Sequence, residues 1–288
     1  MTWFFLSLTA AFALATTDAM TKKFFGDLSA YEMGIFRLAY SLPFILLSLL
    51  VINIPALDST FWACIAAGLP LEAIAFLLYM KAIRTSPLSL SLPFLAFTPL
   101  FITVTGWLVL GETVNLSGFA GIVLIVTGSY IMNISHAGRG PFEPFAAIIR
   151  EPGSRYMLLT AFIYSFTSVI GKKAIAHSSP EFFAVAYYSL FTVLMISLLP
   201  FFSKANLKNL LSRPLKGLAV GTCLAVMVFT HTAAISMVQV AYMISIKRAS
   251  LIFGVIYGAV MFREQNITER LAGALIMLAG AVVITFST

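Results

Sequence analysis

Residues Leu108–Met132 read LVLGETVNLSGFAGIVLIVTGSYIM, and Gly258–Ile284 read GAVMFREQNITERLAGALIMLAGAVVI. At a constant offset of 152, Glu112 in the first stretch matches Glu264 in the second, and Gly121 and Gly128 match Gly273 and Gly280. Just upstream, Phe101 matches Phe253 and Gly106 matches Gly258 in the same register. Near the front of each half, Lys22-Lys23 matches Lys172-Lys173 at an offset of 150, one two-residue indel away. Five matches in one register identify an internal repeat.

The composition says where the repeat resides. Of 288 residues, 60% are apolar and 10% charged, and the mean hydropathy is +0.98. A soluble domain runs at about 45–50% apolar and 25% charged, so this chain lacks the polar residues to cover a water-facing surface. Disorder is excluded on the same ground. The net charge of +7 comes from Lys and Arg scattered between apolar runs, with no basic face to meet nucleic acid. Cys64 and Cys223 lie inside apolar runs without a partner motif, so a disulfide framework, a zinc site and a redox CxxC are not expected. No Walker A sequence, HExxH or GxSxG occurs, so no ATP hydrolysis, no enzymatic centre and no cofactor are expected.

A helix needs about 20 mostly apolar residues to cross a bilayer. Ten such runs occur, at 3–20, 30–52, 58–81, 87–110, 115–133, 155–175, 180–202, 214–235, 240–262 and 268–287. Continuous apolar runs such as FILLSLLVI exclude β-barrel strands, which alternate apolar and polar residues. AFALA followed by TTDAM mimics a signal-peptide cleavage site, but Met1-Thr2-Trp3 carries no positive charge. The first run is expected to stay, as the counterpart of the sixth.

Each repeat holds five runs. Five is odd, so the second copy enters the membrane from the opposite side, which gives an inverted-topology repeat with a binding site near the midplane. The expected fold is an all-α integral membrane protein of ten transmembrane helices in two inverted five-helix repeats, 1–134 and 155–288, joined by a connecting loop at 135–154. Thirteen Lys and Arg lie in the links after the odd-numbered runs, against Lys172 and Lys173 on the other side. By the positive-inside rule the basic side is cytoplasmic and both termini are outside.

Two five-helix repeats, each closing a span on Glu112 or Glu264 with glycines following, resemble the EamA branch of the drug/metabolite transporter superfamily. The resemblance covers the whole chain, with Arg263 standing where the first half has Gly111. It implies spans one to four and six to nine around a central cavity, spans five and ten at the periphery, and export of small metabolites without ATP. It also implies termini inside, opposite to the charge count. A multi-pass protein of the cell membrane, the bacterial inner membrane above all, is expected.

Ionisable groups at membrane depth are costly and face a cavity or a partner. Glu72 sits mid-span beside Pro70, and two roles satisfy that cost: pairing with an intramembrane cation, or handling substrate or protons. Lys247 and Arg248 lie a third of the way into run nine. Adjacent helical residues point roughly 100° apart, so one is expected to line the cavity while the other pairs with a carboxylate such as Glu72 or with a helix C-terminus. His231 aligns with Tyr79 at the 152 offset and is a packing residue or a proton carrier. Asp18 ends run one beside Lys22, as a solvated acid, a Lys-paired acid or a gate; Arg37 begins run two and is equally open to an interfacial place. Tyr79, Tyr164 and Tyr242 join Glu72, His231, Lys247 and Arg248 as candidate substrate-binding residues, and Glu72, His231 and Asp18 are candidates for proton coupling. Pro87, Pro93 and Pro99 recur every six residues in run four, with Pro93 and Pro99 as a gate or an ordinary kink. The glycines at 118, 121, 273 and 280 suit close helix approach or a homodimer contact. The expected function is a secondary exporter of a small amphipathic anionic or zwitterionic metabolite, such as an amino acid. The rivals are a non-transporting membrane subunit and a membrane-embedded enzyme acting on lipid.

Overall fold

The structure, a computed structural model, describes residues 1–86, 88–131, 152–201, 207–263 and 267–287. Twelve α-helices account for most of them: α1 (Thr2–Phe25), α2 (Ala30–Leu47), α3 (Ser59–Thr85), α4 (Leu88–Ser91), α5 (Thr98–Leu110), α6 (Leu116–Ile131), α7 (Pro152–Ala176), α8 (Pro180–Ser197), α9 (Pro214–Met237), α10 (Val240–Lys247), α11 (Ser250–Phe262) and α12 (Ile267–Ser287). The protein is all-α and belongs in a membrane. Among the described residues, seven helical segments are long and apolar enough to cross one, and three shorter apolar helices accompany them. Large apolar side chains such as Trp107, Val193, Val260 and Leu275 stay exposed on the outer surface, as lipid-facing positions do.

Local sequence sets the helix ends. Ser29 and Glu32 form a reciprocal capping box at the start of α2. The Asp58 carboxylate accepts the Phe61 N–H at 2.9 Å to open α3, and the Ser179 hydroxyl accepts the Phe182 N–H at 3.1 Å to open α8. Helices α5 and α11 both end on a left-handed residue, Gly111 at φ 68° and Arg263 at φ 53°. These are the two positions related by the 152 offset, so one backbone shape recurs with two different residues.

Run four is not one helix. It breaks into α4, a 3-10 segment over Leu92–Phe97, and α5. Run nine breaks likewise between α10 and α11, at Arg248 and Ala249. Each interrupted run is held at its start by a lysine from the first helix of the same half. Lys22 Nζ donates to the Ser86 carbonyl at 2.6 Å, and Lys172 Nζ donates to the Val238 carbonyl at 2.7 Å. Ser86 and Val238 stand 152 residues apart, as the repeat requires. Lys172 also pairs with Glu112, whose second oxygen accepts the Val240 N–H at 2.9 Å. Glu264 lies outside the described residues.

Helices α6 and α12 pack on each other through glycines. A Cβ at Gly128 would stand 2.5 Å from the Gly273 carbonyl oxygen, and one at Gly280 would stand 2.6 Å from that of Gly121. Such distances leave no room for any side chain. The glycine stripe is thus used within the chain.

Two outcomes test these features. Arg263→Gly should stabilise the protein by about 1 kcal/mol, because the left-handed region costs an L side chain about that much; Gly111→Ala, which meets nothing within 4 Å, should destabilise it by a similar amount. Thermal unfolding in detergent reads both. Outside the membrane, the Arg213 fork bonds both Asp27 oxygens at 2.8 and 2.7 Å, and those hydrogen bonds hold the Asp27 carboxyl below its ordinary range. A lowered acid stabilises above its unfolded pKa and stops doing so as pH falls through the folded one. The stability gap between wild type and Asp27→Asn should therefore close on acidification below about pH 4, and stay small throughout because the pair is exposed.

Candidate functional site

A cavity of about 120 Å³ lies between α1–α3, the Leu92–Phe97 segment and α7–α10. No residue of α6 or α12 lines it. Phe76, Tyr79, Tyr164, Phe183, Tyr187 and Phe191 give it an aromatic wall; Phe183 and Tyr187 stack at 4.9 Å. Arg37, Glu72, His231, Lys247 and Arg248 line it as well. Of the sequence candidates, Glu72, Tyr79, Tyr164, His231, Lys247 and Arg248 are thus brought together.

Lys247 ends α10 and Arg248 caps it. Cations there suit the negative end of the helix dipole. The Lys247 Nζ stands 3.2 Å from His231 Nδ1; with Lys247 as an ammonium it donates, and the imidazole accepts as the neutral ring. Arg248 is 4% exposed, its Nη2 donates to Thr98 Oγ1 at 2.8 Å, and its Nε is buried without a hydrogen-bond partner among the described residues. The expectation that only one of the two lines the cavity fails. Arg248 keeps helical dihedrals, φ −67° and ψ −7°, so the step of roughly 100° still separates the two side chains, and the cavity reaches both. Pairing with a carboxylate fails as well: among the described residues, none lies within 4.0 Å of either cation. Glu72 lines the same cavity, with neither oxygen in an ion pair among the described residues.

Asp18 and Arg37 correct the sequence reading most. Asp18 is 2% exposed and Arg37 3%, so neither is interfacial or solvated. Arg37 Nη1 bonds Asp18 Oδ1 at 3.0 Å, and the Tyr79 hydroxyl donates to the other Asp18 oxygen. The guanidinium also lies over the Phe76 and Tyr79 rings, 5.6 and 5.9 Å from their centroids. Lys22, the partner the sequence suggested for Asp18, reaches the Ser86 carbonyl instead. Arg37 was the residue missed. It stands seven residues into α2, or about 10 Å at 1.5 Å per residue, and that depth was the available signal.

Tyr242 does not join the cavity. It precedes Lys247 by five residues, which turns it about 140° away on the helix. Its hydroxyl accepts the Asn115 N–H at 3.2 Å, and it lines a separate recess with Glu112, Lys172, Met1 and Ser287. The prolines do not kink a continuous helix. Pro93 falls in the 3-10 segment, Pro99 is buried in the first turn of α5, where a missing N–H costs nothing, and Pro87 lies outside the described residues. Among the described residues no cluster of His, Cys, Asp or Glu could hold a metal ion.

Removing one member of a buried ion pair strands the other, at a cost of about 3–5 kcal/mol. Asp18→Asn and Arg37→Gln should each destabilise on that scale, and the double variant should lose less than the sum. Thermal unfolding of the four proteins of this double-mutant cycle provides the measurement.

Comparison with known proteins identifies the fold and the family. No curated protein matches the chain. A crystal structure of a protein aligns with a TM-score of 0.73 over 99% of this chain and 95% of that one, at 15% identity, which shows a shared fold. The EamA-like transporter family profile matches residues 1–134 and again 152–286. With the family matched over nearly all of its length, the chain belongs to the EamA-like transporters of the drug/metabolite superfamily, which are carriers and not enzymes.

Proposed function

We propose that this protein is a secondary exporter of a small amphipathic metabolite that carries an anionic group, an amino acid or similar compound, working by alternating access between two inverted five-helix repeats. Ten crossings fit this reading if the three shorter apolar helices count as spans. The lysine–carbonyl contacts that recur at the repeat offset support it, as do the two separate stretches matched by the family profile.

The observation that carries the substrate assignment is the pair Lys247 and Arg248. Both line the cavity, both sit in an apolar span, and no carboxylate is within ion-pairing distance among the described residues. An unpaired cation at a helix centre costs about 2.5–3.5 kcal/mol on insertion scales. A carboxylate or phosphate on the substrate relieves that cost and offers acceptors to the Arg248 Nε and to the Lys247 protons not directed at His231. Arg37 is already neutralised by Asp18, so it contributes shape more than charge. Glu72 is placed to receive an ammonium group, which extends the preference from anions to zwitterions. The aromatic wall takes the apolar body of the ligand.

A second reading concerns protons. Glu72 and His231 line the cavity and remain candidates for coupling; Asp18, already bound to Arg37 and Tyr79, would have to break that pair to carry one.

Lys247→Gln and Arg248→Gln, made singly, should fold, and at least one should weaken binding tenfold or more, worth about 1.4 kcal/mol. Proteoliposome uptake with a panel of carboxylates, amino acids and cationic drugs provides the assay. Wild-type behaviour by both variants, or a preference for the cationic drugs, overturns the substrate assignment.

A further inference from the structure

Helix α10 is eight residues long, and it presents Lys247 and Arg248 at one end. Its other end has no cap of its own: Gln239 precedes the helix and makes no side-chain capping bond. The Val240 N–H is taken instead by Glu112, from the opposite half of the chain, at 2.9 Å. Glu112 is in turn paired with Lys172, and Lys172 grips the Val238 carbonyl at 2.7 Å. Both backbone groups flanking Gln239 are therefore held, one by each member of a single ion pair. A carboxylate at a helix N-terminus also meets the positive end of the dipole.

The other arm of the cation site is suspended the same way. Lys22 holds the Ser86 carbonyl at 2.6 Å, at the head of the segment that runs through Leu92–Phe97 to Thr98. Thr98 is the residue whose hydroxyl accepts from Arg248. Neither Glu112 nor Lys172 lines the cavity, and both face the separate recess at the chain termini.

We propose that Glu112 and Lys172 are positioning residues for the cation pair: together they clamp the Val238–Val240 link and thereby fix where α10 delivers Lys247 and Arg248. This rests on the reading of those cations as the anion site. A short rigid helix pinned at one end transmits any shift of the clamp to the other, about 10 Å away at 1.5 Å per residue. The ion pair is then a structural lever on substrate binding, although it touches no substrate.

The test needs no transported ligand. In a Cys64→Ala/Cys223→Ala background, Lys247→Cys places a thiol at the end of α10, and Leu14→Cys places one on α1 in the same cavity. The rate of modification by an anionic methanethiosulfonate reports where each thiol sits. Adding Glu112→Ala or Lys172→Gln should change the rate at position 247 by fivefold or more and leave that at position 14 within twofold. Glu112→Gln keeps an acceptor for the Val240 N–H but loses the ion pair, and should fall between. If Glu112→Ala does not fold, Lys172→Gln and Glu112→Gln carry the test. An unchanged rate at position 247 overturns the proposal; equal changes at both positions also overturn it, because they mean general loosening. Either failure leaves the anion reading intact, whereas wild-type binding by Lys247→Gln and Arg248→Gln overturns that reading alone.

Discussion

Charge in a low-dielectric interior must be paired, hydrogen-bonded or left facing a ligand, and the arrangement of this protein follows from how each intramembrane charge meets that demand. Asp18 and Arg37 meet it internally. With Tyr79 donating to the free carboxylate oxygen and two rings under the guanidinium, the group is nearly closed, and it ties α1, α2 and α3 together. Lys247 and Arg248 meet it only in part, with an imidazole nitrogen and a threonine hydroxyl where carboxylates would serve better. One half of the chain thus supplies a cluster whose charges are paired, although Arg37 Nε, like Arg248 Nε, has no hydrogen-bond partner among the described residues; the other supplies an unfinished one. The difference between them is what gives the cavity a sign.

Interrupted helices make the unfinished cluster possible. A helix that crosses without a break buries all its backbone groups in its own ladder, whereas a broken one brings helix ends to membrane depth. Here the breaks fall at equivalent places in the two halves, and each interrupted run is pinned at its start by a lysine on a carbonyl. The side chains that give the cavity its chemistry do not follow the repeat. Tyr79 stands opposite His231, and Leu95 and Ala96 stand where the second half has Lys247 and Arg248. The frame is duplicated, while the chemistry belongs to one copy or the other.

Much of this frame was legible in the sequence, because hydropathy and glycine spacing are local and the repeat supplies an internal comparison. The glycine stripes of runs five and ten and the cationic character of run nine follow from residues readable in one dimension, whereas the left-handed end at Arg263 and the partner of each stripe do not. The Asp18–Arg37 pair did not, since it joins residues 19 apart on antiparallel helices, and counting from the nearest loop placed each of them too close to the surface. Tyr242 was misplaced for the opposite reason. Its position in the right span suggested the cavity, but the helical turn set by Lys247 carries it to the other side. The prolines of run four marked an irregularity there, but run nine reads as one continuous helix, and only the fold shows its break at Arg248.

Helices α6 and α12 come from different halves, and where they cross at Gly121, Gly128, Gly273 and Gly280 backbone lies on backbone. The same crossing packs Ile284 on Gly121, Met277 on Gly128 and Ile125 on Gly280, so sliding one helix along the other would drive side chains and backbone into space already filled. Such a seam opposes shear between the two helices. It joins the first part of the chain to the last at a place that holds none of the cavity's charges.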